Sequence, residues 1–312
     1  MVKVTRLSPP APREPKLSVD PDRPNGWLRE EERKSDGRCT QILTIFLSGA
    51  ECPLDCIFCD LWRQTLDGPT PPGAIPRQIA AAIAEAGPPT PRSVKLYNAS
   101  NFFDPIAVPP EDDSEIAMLL RPFDRVIVES HPRFIQRRCL EFAERLTGEL
   151  EVAVGLETAD PDVLARLNKR MTLNMVAEAA ATLQTAGIGL RFFLLVPPPF
   201  VAAKDAVAST QRSVTYAAGL GANHVSLIPT RTESIRTDAV RPRELASPTL
   251  SLVEDVLDAC YDPTGVVLSV DLWDINRLAG CVQCGQARVE RLQAINRTGH
   301  HTARIACQTC RS

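Results

Sequence analysis

Residues 42–60 read ILTIFLSGAECPLDCIFCD, an apolar run followed at once by closely spaced cysteines. The apolar half has the length and composition of a buried strand. The loop after it carries Cys52, Cys56 and Cys59 in a Cys-x3-Cys-x2-Cys pattern. Three thiolates on one short loop can each bind one iron of a cubic four-iron cluster, which leaves the fourth iron open to another ligand.

Two other interpretations of this cysteine loop are weaker. A disulfide cluster is unfavourable because the N-terminal stretch MVKVTRLSPPAPREP has no apolar segment typical of an export signal. Zinc usually takes its ligands from two Cys-x2-Cys pairs and not from one loop of three cysteines. We therefore expect an iron–sulfur cluster, with zinc or free buried thiols as the alternatives.

The loop also has an aromatic residue, Phe58, just before its third cysteine. In this it resembles the radical S-adenosylmethionine (radical SAM) superfamily. The resemblance implies a [4Fe-4S] cluster on Cys52, Cys56 and Cys59, with S-adenosylmethionine bound to the open iron through its amino and carboxylate groups. It also implies that one electron splits the S–C5′ bond and yields a 5′-deoxyadenosyl radical for hydrogen abstraction. An electron donor such as ferredoxin or flavodoxin is an implied partner.

The composition is that of a soluble globular protein, with 44% hydrophobic and 23% charged residues among 312. No apolar run approaches the roughly 18 residues of a membrane span, so we expect no membrane partner and a cytoplasmic location. Ten cysteines in a chain without an export signal favour metal ligation under reducing conditions. The net charge of −3 argues against a surface covered in positive charge, but it allows a local basic patch.

We predict three regions: an N-terminal extended arm (1–38), a radical SAM core (39–275) and a metal-binding tail (276–312). The arm is rich in proline and in charges of both signs, so it can bury little surface and is expected to be solvated or partly disordered. Trp27 and Leu28 are candidate anchors for its end. Wrapping of the arm around the core is the alternative.

The core alternates strand-like and helix-like segments, which predicts an α/β fold with a parallel sheet. Strands are predicted at 41–48, 93–98, 125–130, 150–156, 188–196 and 222–229. Helices are predicted at 76–86, 112–120, 133–146, 161–168, 173–186 and 203–218. Six such units match the partial (β/α)6 TIM-type barrel that the resemblance implies, completed by a small C-terminal metal-binding ribbon. A further strand at 265–272 is expected outside the core set.

In such barrels the functional residues lie at the carboxyl ends of the strands. After the second predicted strand, Asn98 and Ser100 stand where many radical SAM proteins carry a Gly-Gly-Glu motif that contacts the cofactor's amino group. We assign both to cofactor binding, with Asp104 as another acceptor; a polar turn that only closes the loop is the alternative. The third strand ends in Glu129 and His131, which are candidate catalytic groups for substrate binding or proton transfer. A structural histidine is the alternative there.

The fourth predicted strand leads into GLETADPDVLARLNKRM (155–171). This segment resembles the GLE/GLQ, helix and arginine segment of the elongator and methylthiotransferase branch of the family. The resemblance implies that Glu157 lies near the ribose or methionyl part of the cofactor and Arg170 near its carboxylate. Both roles suit the side chains, because a carboxylate accepts from hydroxyls and a guanidinium forks onto a carboxylate. The alternative is that Asp160 simply caps the following helix.

Further residues are assigned on the remaining strands. Arg191 lies in an otherwise apolar strand and needs either the cofactor carboxylate or an ion pair inside the barrel. The resemblance implies a backbone contact to adenine at Ile228 or Pro229, with Phe58 covering the ring. Residues 231–243 are expected to form a surface loop over the barrel mouth, either a lid or a simple connection.

Branches of the family with this kind of fourth strand often modify tRNA, so the resemblance favours tRNA as substrate and partner. Two alternatives remain at this point. One is a radical SAM enzyme that modifies a small molecule or a peptide. The other is a non-catalytic iron–sulfur or zinc protein that binds RNA.

The tail carries two Cys-x2-Cys pairs, Cys281 with Cys284 and Cys307 with Cys310. Four thiolates in this arrangement suit tetrahedral zinc, and a second iron–sulfur cluster is the alternative. His300 and His301 are substitute ligands, while Cys39, Cys139 and Cys260 are expected to be isolated thiols.

The tail is also basic, with six arginines against Glu290 alone. They are Arg277, Arg288, Arg291, Arg297, Arg304 and Arg311. This charge predicts either contact with RNA or ion pairs that fix the tail onto an acidic barrel.

Overall fold

The computed structural model describes residues 15–236, 239–241, 244–261 and 265–310. Its strands form one curled eight-stranded sheet in which spatial order follows chain order. The strands are β1 (Gly26–Arg33), β2 (Cys39–Leu47), β3 (Ser93–Asn98), β4 (Arg125–Glu129), β5 (Glu149–Glu157), β6 (Gly189–Val196), β7 (His224–Pro229) and β8 (Val267–Val270). β1 pairs antiparallel with β2, and every later pair of neighbours is parallel.

Helices alternate with the parallel strands, as the sequence predicts. They are α1 (Ala74–Ala86), α2 (Asp113–Leu119), α3 (Arg137–Arg145), α4 (Pro161–Arg166), α5 (Leu173–Thr185), α6 (Ala206–Gly219), α7 (Leu250–Cys260) and α8 (Gly285–Thr298). All six predicted strands are present, so the prediction of a partial barrel is confirmed. The expectation for the seventh strand is wrong in one respect, because β8 pairs with β7 inside the same sheet.

The sheet is covered on both faces, as parallel strands require. Along β4, Val126 and Val128 point outward into the main core that the helices share. The residue between them, Ile127, points into the barrel and packs with Ile42 and Ala153 in a small inner cluster. This alternation explains why the strand segments read as continuous apolar runs. Within the described residues, no helix combines the length and the apolar character needed to cross a membrane.

The N-terminal region differs from its prediction. Residues 1–14 lie outside the described residues, but residues 26–33 form β1 along the whole length of β2. A solvated arm is therefore the wrong interpretation for this stretch. The charged residues of this stretch predict exposure to solvent, but Glu32 is only 9% exposed and its carboxylate lies inside the barrel.

Glu32 is the centre of a buried ion-pair network near the amino ends of the parallel strands. Its carboxylate lies 2.7 Å from the Lys95 ammonium, 3.1 Å from the Arg125 guanidinium and 2.7 Å from that of Arg191. Burial opposes the charge, but Arg191 and Lys95 hold the pKa of Glu32 well below its usual value. Glu151 bonds Arg125 and Arg191 from β5. The network closes this end of the barrel and ties β1 to it.

The tail packs onto the open sides of the sheet through α8, which contacts both β1 and β8. The Asn296 side chain bonds the edge of β8 as a peptide group would: Nδ2 donates to the Val270 carbonyl at 2.7 Å, and Oδ1 accepts from its N–H at 2.9 Å. The segment between the two cysteine pairs carries α8 and then an irregular stretch over residues 299–306 that leads to the second pair. The boundaries predicted for the three regions stay predictions.

Candidate active site

The cysteine loop leaves β2 at the carboxyl edge of the sheet and is held from two sides by backbone contacts. The Ile57 N–H donates to the Leu167 carbonyl at 3.2 Å, and the Ile57 carbonyl accepts from the Arg236 N–H at 2.8 Å. Asn168 Nδ2 donates to the Asp55 carbonyl at 2.6 Å. The segments after α4 and β7 thus fix the loop over the barrel, and the first part of the predicted 231–243 loop packs against it. Residues 237, 238, 242 and 243 lie outside the described residues.

Cys52, Cys56 and Cys59 are all partly buried. Burial raises the pKa of Cys52, that of Cys56 to about 12 and that of Cys59 to about 11, so the metal-free thiols are neutral and metal binding must displace their protons. Among the described residues, the group whose ligand atoms all lie within 4.8 Å is in the tail and does not include these three. A four-iron cluster on Cys52, Cys56 and Cys59 stays the prediction for this loop.

The turn after β3 contains buried polar atoms that lack a partner in the described part of the chain: Asn98 Nδ2 and Ser100 Oγ. Asn98 Oδ1 accepts from the Ser100 N–H at 3.4 Å, so the two side chains share one turn. A buried polar group without a partner costs about 1–3 kcal/mol, which points to a ligand. An amide that donates to a carboxylate and a hydroxyl that accepts from an ammonium fit the amino-acid end of S-adenosylmethionine.

Asn101, in the same turn, links this region to the cysteine loop and was not singled out from the sequence. Its Nδ2 donates to Cys52 Sγ at 3.4 Å, and its Oδ1 accepts from the His131 N–H at 2.7 Å. A hydrogen bond to a ligating sulfur tunes the reduction potential of an iron–sulfur cluster. The position at a strand's carboxyl end was the only sequence signal for Asn101. Asp104, by contrast, accepts from the Ile106 N–H at 3.0 Å and closes its own loop.

The segment after β5 brings Glu157 and Lys169 together inside the site. Lys169 Nζ bonds Glu157 Oε1 and the Gly155 carbonyl and lies 5.9 Å from the Phe58 ring centroid. A Cβ at Gly155 would lie 2.2 Å from Lys169 Nζ and 2.3 Å from Glu157 Oε1, so a larger residue there would displace the ends of both side chains. Sequence analysis assigned Arg170 to this place, but Arg170 is exposed and has a φ of 51°. The backbone turn after α4 directs Lys169 inward instead.

Asp160 also caps α4, since its Oδ1 accepts from the N–H groups of Asp162 and Val163. Asp160 therefore caps α4 as the alternative predicts, and this cap is compatible with the position of Glu157 near the cysteine loop.

Glu129 and His131 differ in how tightly they are held. Burial, with a contribution from Glu157, raises the pKa of Glu129 to about 8 against the opposing effect of Lys169. His131 is buried, and both ring nitrogens contact backbone: Nδ1 accepts from the Arg133 N–H at 3.2 Å, and Nε2 donates to the Lys169 carbonyl at 3.1 Å. Burial and then Lys169 lower its pKa to about 4. The neutral imidazole holds the Lys169 backbone in place.

The other predicted cofactor residues separate into two groups. Phe58 packs against the main core beside the cysteine loop, and Ile228 is half-buried on β7, where it pairs with Leu195. Arg191 lies near the opposite end of the barrel, 2% exposed and bound to Glu32. The structure shows the ion-pair alternative for Arg191, which does not line the cofactor site.

The tail cysteines form a compact group of four, all within 4.8 Å of one another. Cys281 Sγ and Cys307 Sγ are 3.8 Å apart, and Cys284 Sγ and Cys310 Sγ are 3.3 Å apart. Tetrahedral zinc–thiolate bonds of about 2.3 Å separate the sulfurs by about 3.8 Å. The spacing fits one ion. His301 is not part of this group, because it contacts Asp258 at 3.2 Å.

The tail arginines are bound to acidic side chains, many of them on α7. The pairs are Arg288 with Glu254, Arg291 with Glu254 and Asp258, Arg304 with Asp255 and Asp258, Arg277 with Asp274, and Arg297 with Glu31. Arg311 lies outside the described residues. The arginines that are described thus attach the tail to the barrel, which is the ion-pair alternative for the tail's charge.

The curled parallel sheet with its cysteine loop defines the class: the chain has the fold of the radical SAM enzymes. It superposes on the archaeal Elp3 of Methanocaldococcus infernus with a TM-score of 0.52 and 13% identity over 75% of this chain and 60% of that chain. It superposes on SuiB of Streptococcus suis bound to S-adenosylmethionine with a TM-score of 0.51 and 13% identity over 74% of this chain and 47% of that chain. The predicted radical SAM core is confirmed at the level of the fold.

Particular relatives are similar in sequence over part of the chain. An uncharacterised protein of Methanocaldococcus jannaschii is 30% identical over 142 residues, 44% of this chain and 39% of the relative. The archaeosine synthase subunit beta of Thermococcus kodakarensis is 30% identical over 133 residues, 41% of each chain. The matches therefore span about two fifths of these relatives' length. No protein-family model matches the chain.

Proposed function

We propose that the chain is a radical SAM enzyme with its cluster on Cys52, Cys56 and Cys59. When bound, the cluster and S-adenosylmethionine supply the 5′-deoxyadenosyl radical that abstracts hydrogen from a substrate. The observation that carries the proposal is the pair of unpartnered buried atoms, Asn98 Nδ2 and Ser100 Oγ, next to a loop of three cysteines. These atoms fit the amino-acid end of the cofactor and have no hydrogen-bond partner in the described part of the chain.

The chain's own residues bind and orient the cofactor in this proposal. Asn98 and Ser100 hold its amino and carboxylate groups, and Lys169 supplies the cation that sequence analysis assigned to Arg170. Glu157 accepts from the ribose hydroxyls. Phe58 and the backbone at Ile228 enclose the adenine. Inside the barrel, Ile42, Ile127 and Ala153 form a small apolar cluster, and the far end is closed by ion pairs.

The test is anaerobic reconstitution with iron and sulfide, followed by S-adenosylmethionine and dithionite. We expect the parent protein to form 5′-deoxyadenosine. The Asn98→Ala, Ser100→Ala double variant should bind as much iron as the parent but form much less 5′-deoxyadenosine. Asn25→Ala, at the exposed start of β1, is the matched control. An intact cluster in the parent protein with no cleavage of the cofactor would refute the proposal and favour a non-catalytic binding protein.

We further propose tRNA as the substrate. Similarity to the archaeosine synthase subunit beta of Thermococcus kodakarensis supports this, as does the segment from Glu157 to Arg170 that resembles the elongator and methylthiotransferase branch. Incubation with unfractionated tRNA should increase 5′-deoxyadenosine formation and give a modified nucleoside on digestion and mass spectrometry. Stimulation by peptides or small metabolites and none by tRNA would favour the other kind of radical SAM enzyme. Ferredoxin or flavodoxin is the proposed electron donor, and each should replace dithionite.

For the tail we propose a single zinc ion held by Cys281, Cys284, Cys307 and Cys310. The sulfur separations of 3.8 and 3.3 Å support one tetrahedral ion. Metal analysis of anaerobically purified protein should give about one zinc per chain. The Cys307→Ser, Cys310→Ser double variant should lose zinc and keep its iron. Loss of half the iron and sulfide instead would identify a second cluster.

A further inference from the structure

An exposed tryptophan stands at the carboxyl edge of the sheet, on the same edge as the cysteine loop. Trp273 follows β8, and its side chain is 58% exposed. Its ring contacts Phe46 at a centroid distance of 5.6 Å and an angle of 64°. Phe46 shares the inward face of β2 with Ile42, because residues two apart on a strand point the same way. The indole therefore meets the inner wall of the barrel at Phe46, while more than half of its surface stays exposed.

The aromatic wall continues inward from this contact. Phe46 is the register partner of Tyr97 on β3, and Tyr97 contacts Phe193 edge-on at 6.1 Å. These rings line the barrel beneath the cofactor site. A flat ring that enters the mouth from solvent would meet Trp273 first and then this wall.

The backbone around Trp273 is held by hydrogen bonds, so the exposed ring does not lie on a loosely attached segment. The Asp271 N–H donates to the Leu227 carbonyl at 2.8 Å and extends the β7–β8 ladder. Asp271 Oδ1 in turn accepts from the Trp273 N–H at 3.0 Å. The next residue, Asp274, accepts from Arg231 Nε at 2.9 Å. These bonds hold the exposed indole at a defined position on the carboxyl edge of the sheet.

Near Trp273 lie one hydrogen-bond acceptor and one hydrogen-bond donor. The Asp271 side chain, 29% exposed, presents a carboxylate, and the Arg231 side chain, 34% exposed, presents a guanidinium 3.8 Å from it. A carboxylate accepts from the amino and ring N–H groups of a base, and a guanidinium donates to its carbonyls and ring nitrogens. An aliphatic substrate would use neither the ring face nor this pair.

We infer that Trp273 is a stacking platform for one unpaired nucleobase of an RNA substrate, with Asp271 and Arg231 bonding the edge of that base. The inference rests on the proposed function and names the part of the substrate that the rim recognises. Proteins that read unpaired RNA stack splayed bases on aromatic side chains, and enzymes that act on a base first take it out of its stack. Every base offers a ring face, so the platform gives affinity, and its polar neighbours give selectivity.

The test compares Trp273→Ala and Trp273→Phe in the reconstituted protein, with unfractionated tRNA as the probe. Stacking of about 1–3 kcal/mol per base corresponds to about a 5- to 150-fold loss of tRNA affinity for the alanine variant. The phenylalanine variant keeps a ring and should retain most of the affinity. Cleavage of S-adenosylmethionine without RNA should be unchanged in both. Met118→Ala, at an apolar residue of α2 that is 53% exposed, is the matched control and should bind like the parent.

Two results would overturn the platform. One is unchanged tRNA affinity in Trp273→Ala, and the other is loss of RNA-independent cofactor cleavage, which would place Trp273 in the cofactor site. If the parent itself does not bind tRNA, the proposed substrate fails and the platform is judged separately. Quenching of Trp273 fluorescence by guanosine monophosphate, with Trp27→Phe and Trp62→Phe already in place, then decides. No quenching rejects the platform as well.

Discussion

The cysteine loop and the tail cysteines are two candidate metal sites that differ in the number and the arrangement of their ligands. The loop supplies Cys52, Cys56 and Cys59, so the proposed four-iron cluster would keep one iron open, and it borders unpartnered polar atoms. The tail supplies four sulfurs within 4.8 Å, and its described arginines are bound to carboxylates. Metal sites that only stabilise are closed, while catalytic sites keep an open position. The comparison assigns chemistry to the loop and stability to the tail.

The sharpest separation comes from removing ligands in each region. Cys56→Ala should lose the loop's iron and abolish 5′-deoxyadenosine formation, because a cluster cannot be held by two of its three thiolates. The tail variant Cys307→Ser should keep both. Iron content, sulfide content and product formation are measured on anaerobically prepared protein. Cys39→Ala, at the exposed lone cysteine of β2, controls for thiol loss and should match the parent.

Zinc removal should then affect stability far more than chemistry. The tail helix α8 contacts β1 and β8, so a metal that joins the residues just before α8 to Cys307 and Cys310 would contribute to the folding free energy of the sheet. A chelator that removes zinc without removing iron should lower the melting temperature by several degrees, since about 1 kcal/mol shifts a chain of this size by roughly 2–4 °C. Equal melting curves with and without zinc would contradict a stabilising role. Product formation per folded chain should stay constant.

Neighbouring residues Lys169 and Arg170 offer a finer test of the loop region. Lys169→Ala removes a buried cation that contacts Glu157 and faces Phe58, whereas Arg170→Ala removes an exposed one. Hydrogen bonds to charged groups contribute about 1.5–3 kcal/mol, so we expect roughly a 10- to 150-fold weaker affinity for S-adenosylmethionine in the lysine variant. The arginine variant should bind like the parent in equilibrium titrations. The reverse result would restore the original assignment of Arg170.

This pair also shows how far a sequence reaches. The six core strands and the cysteine loop follow from apolar period and local spacing, which a sequence displays directly. Whether Lys169 or Arg170 faces the site depends on positive φ values after α4, and these are not visible in spacing. The same limit applies to Glu32. Its charge predicts an exposed residue, and only the folded structure shows the three cationic partners from distant strands that allow its burial. A backbone turn determines which of Lys169 and Arg170 faces the site, and long-range ion pairs determine the burial of Glu32.

The smallest effect concerns Glu129, which faces Lys169, Glu157 and Lys95 inside the barrel. Its pKa of about 8 lies above the usual 4.5 of a glutamic acid, so between these values the folded chain binds a proton that the unfolded chain has released. Stability of the metal-free protein should therefore decrease as pH rises from about 4.5 to about 8 and show no further loss from this group above that pH. Glu129→Gln should flatten this part of the denaturation profile, while Glu144→Gln, on the outer helix α3, should leave it unchanged. An unaltered slope in Glu129→Gln would mean that the carboxyl group is ionised at neutral pH and that burial does not raise its pKa.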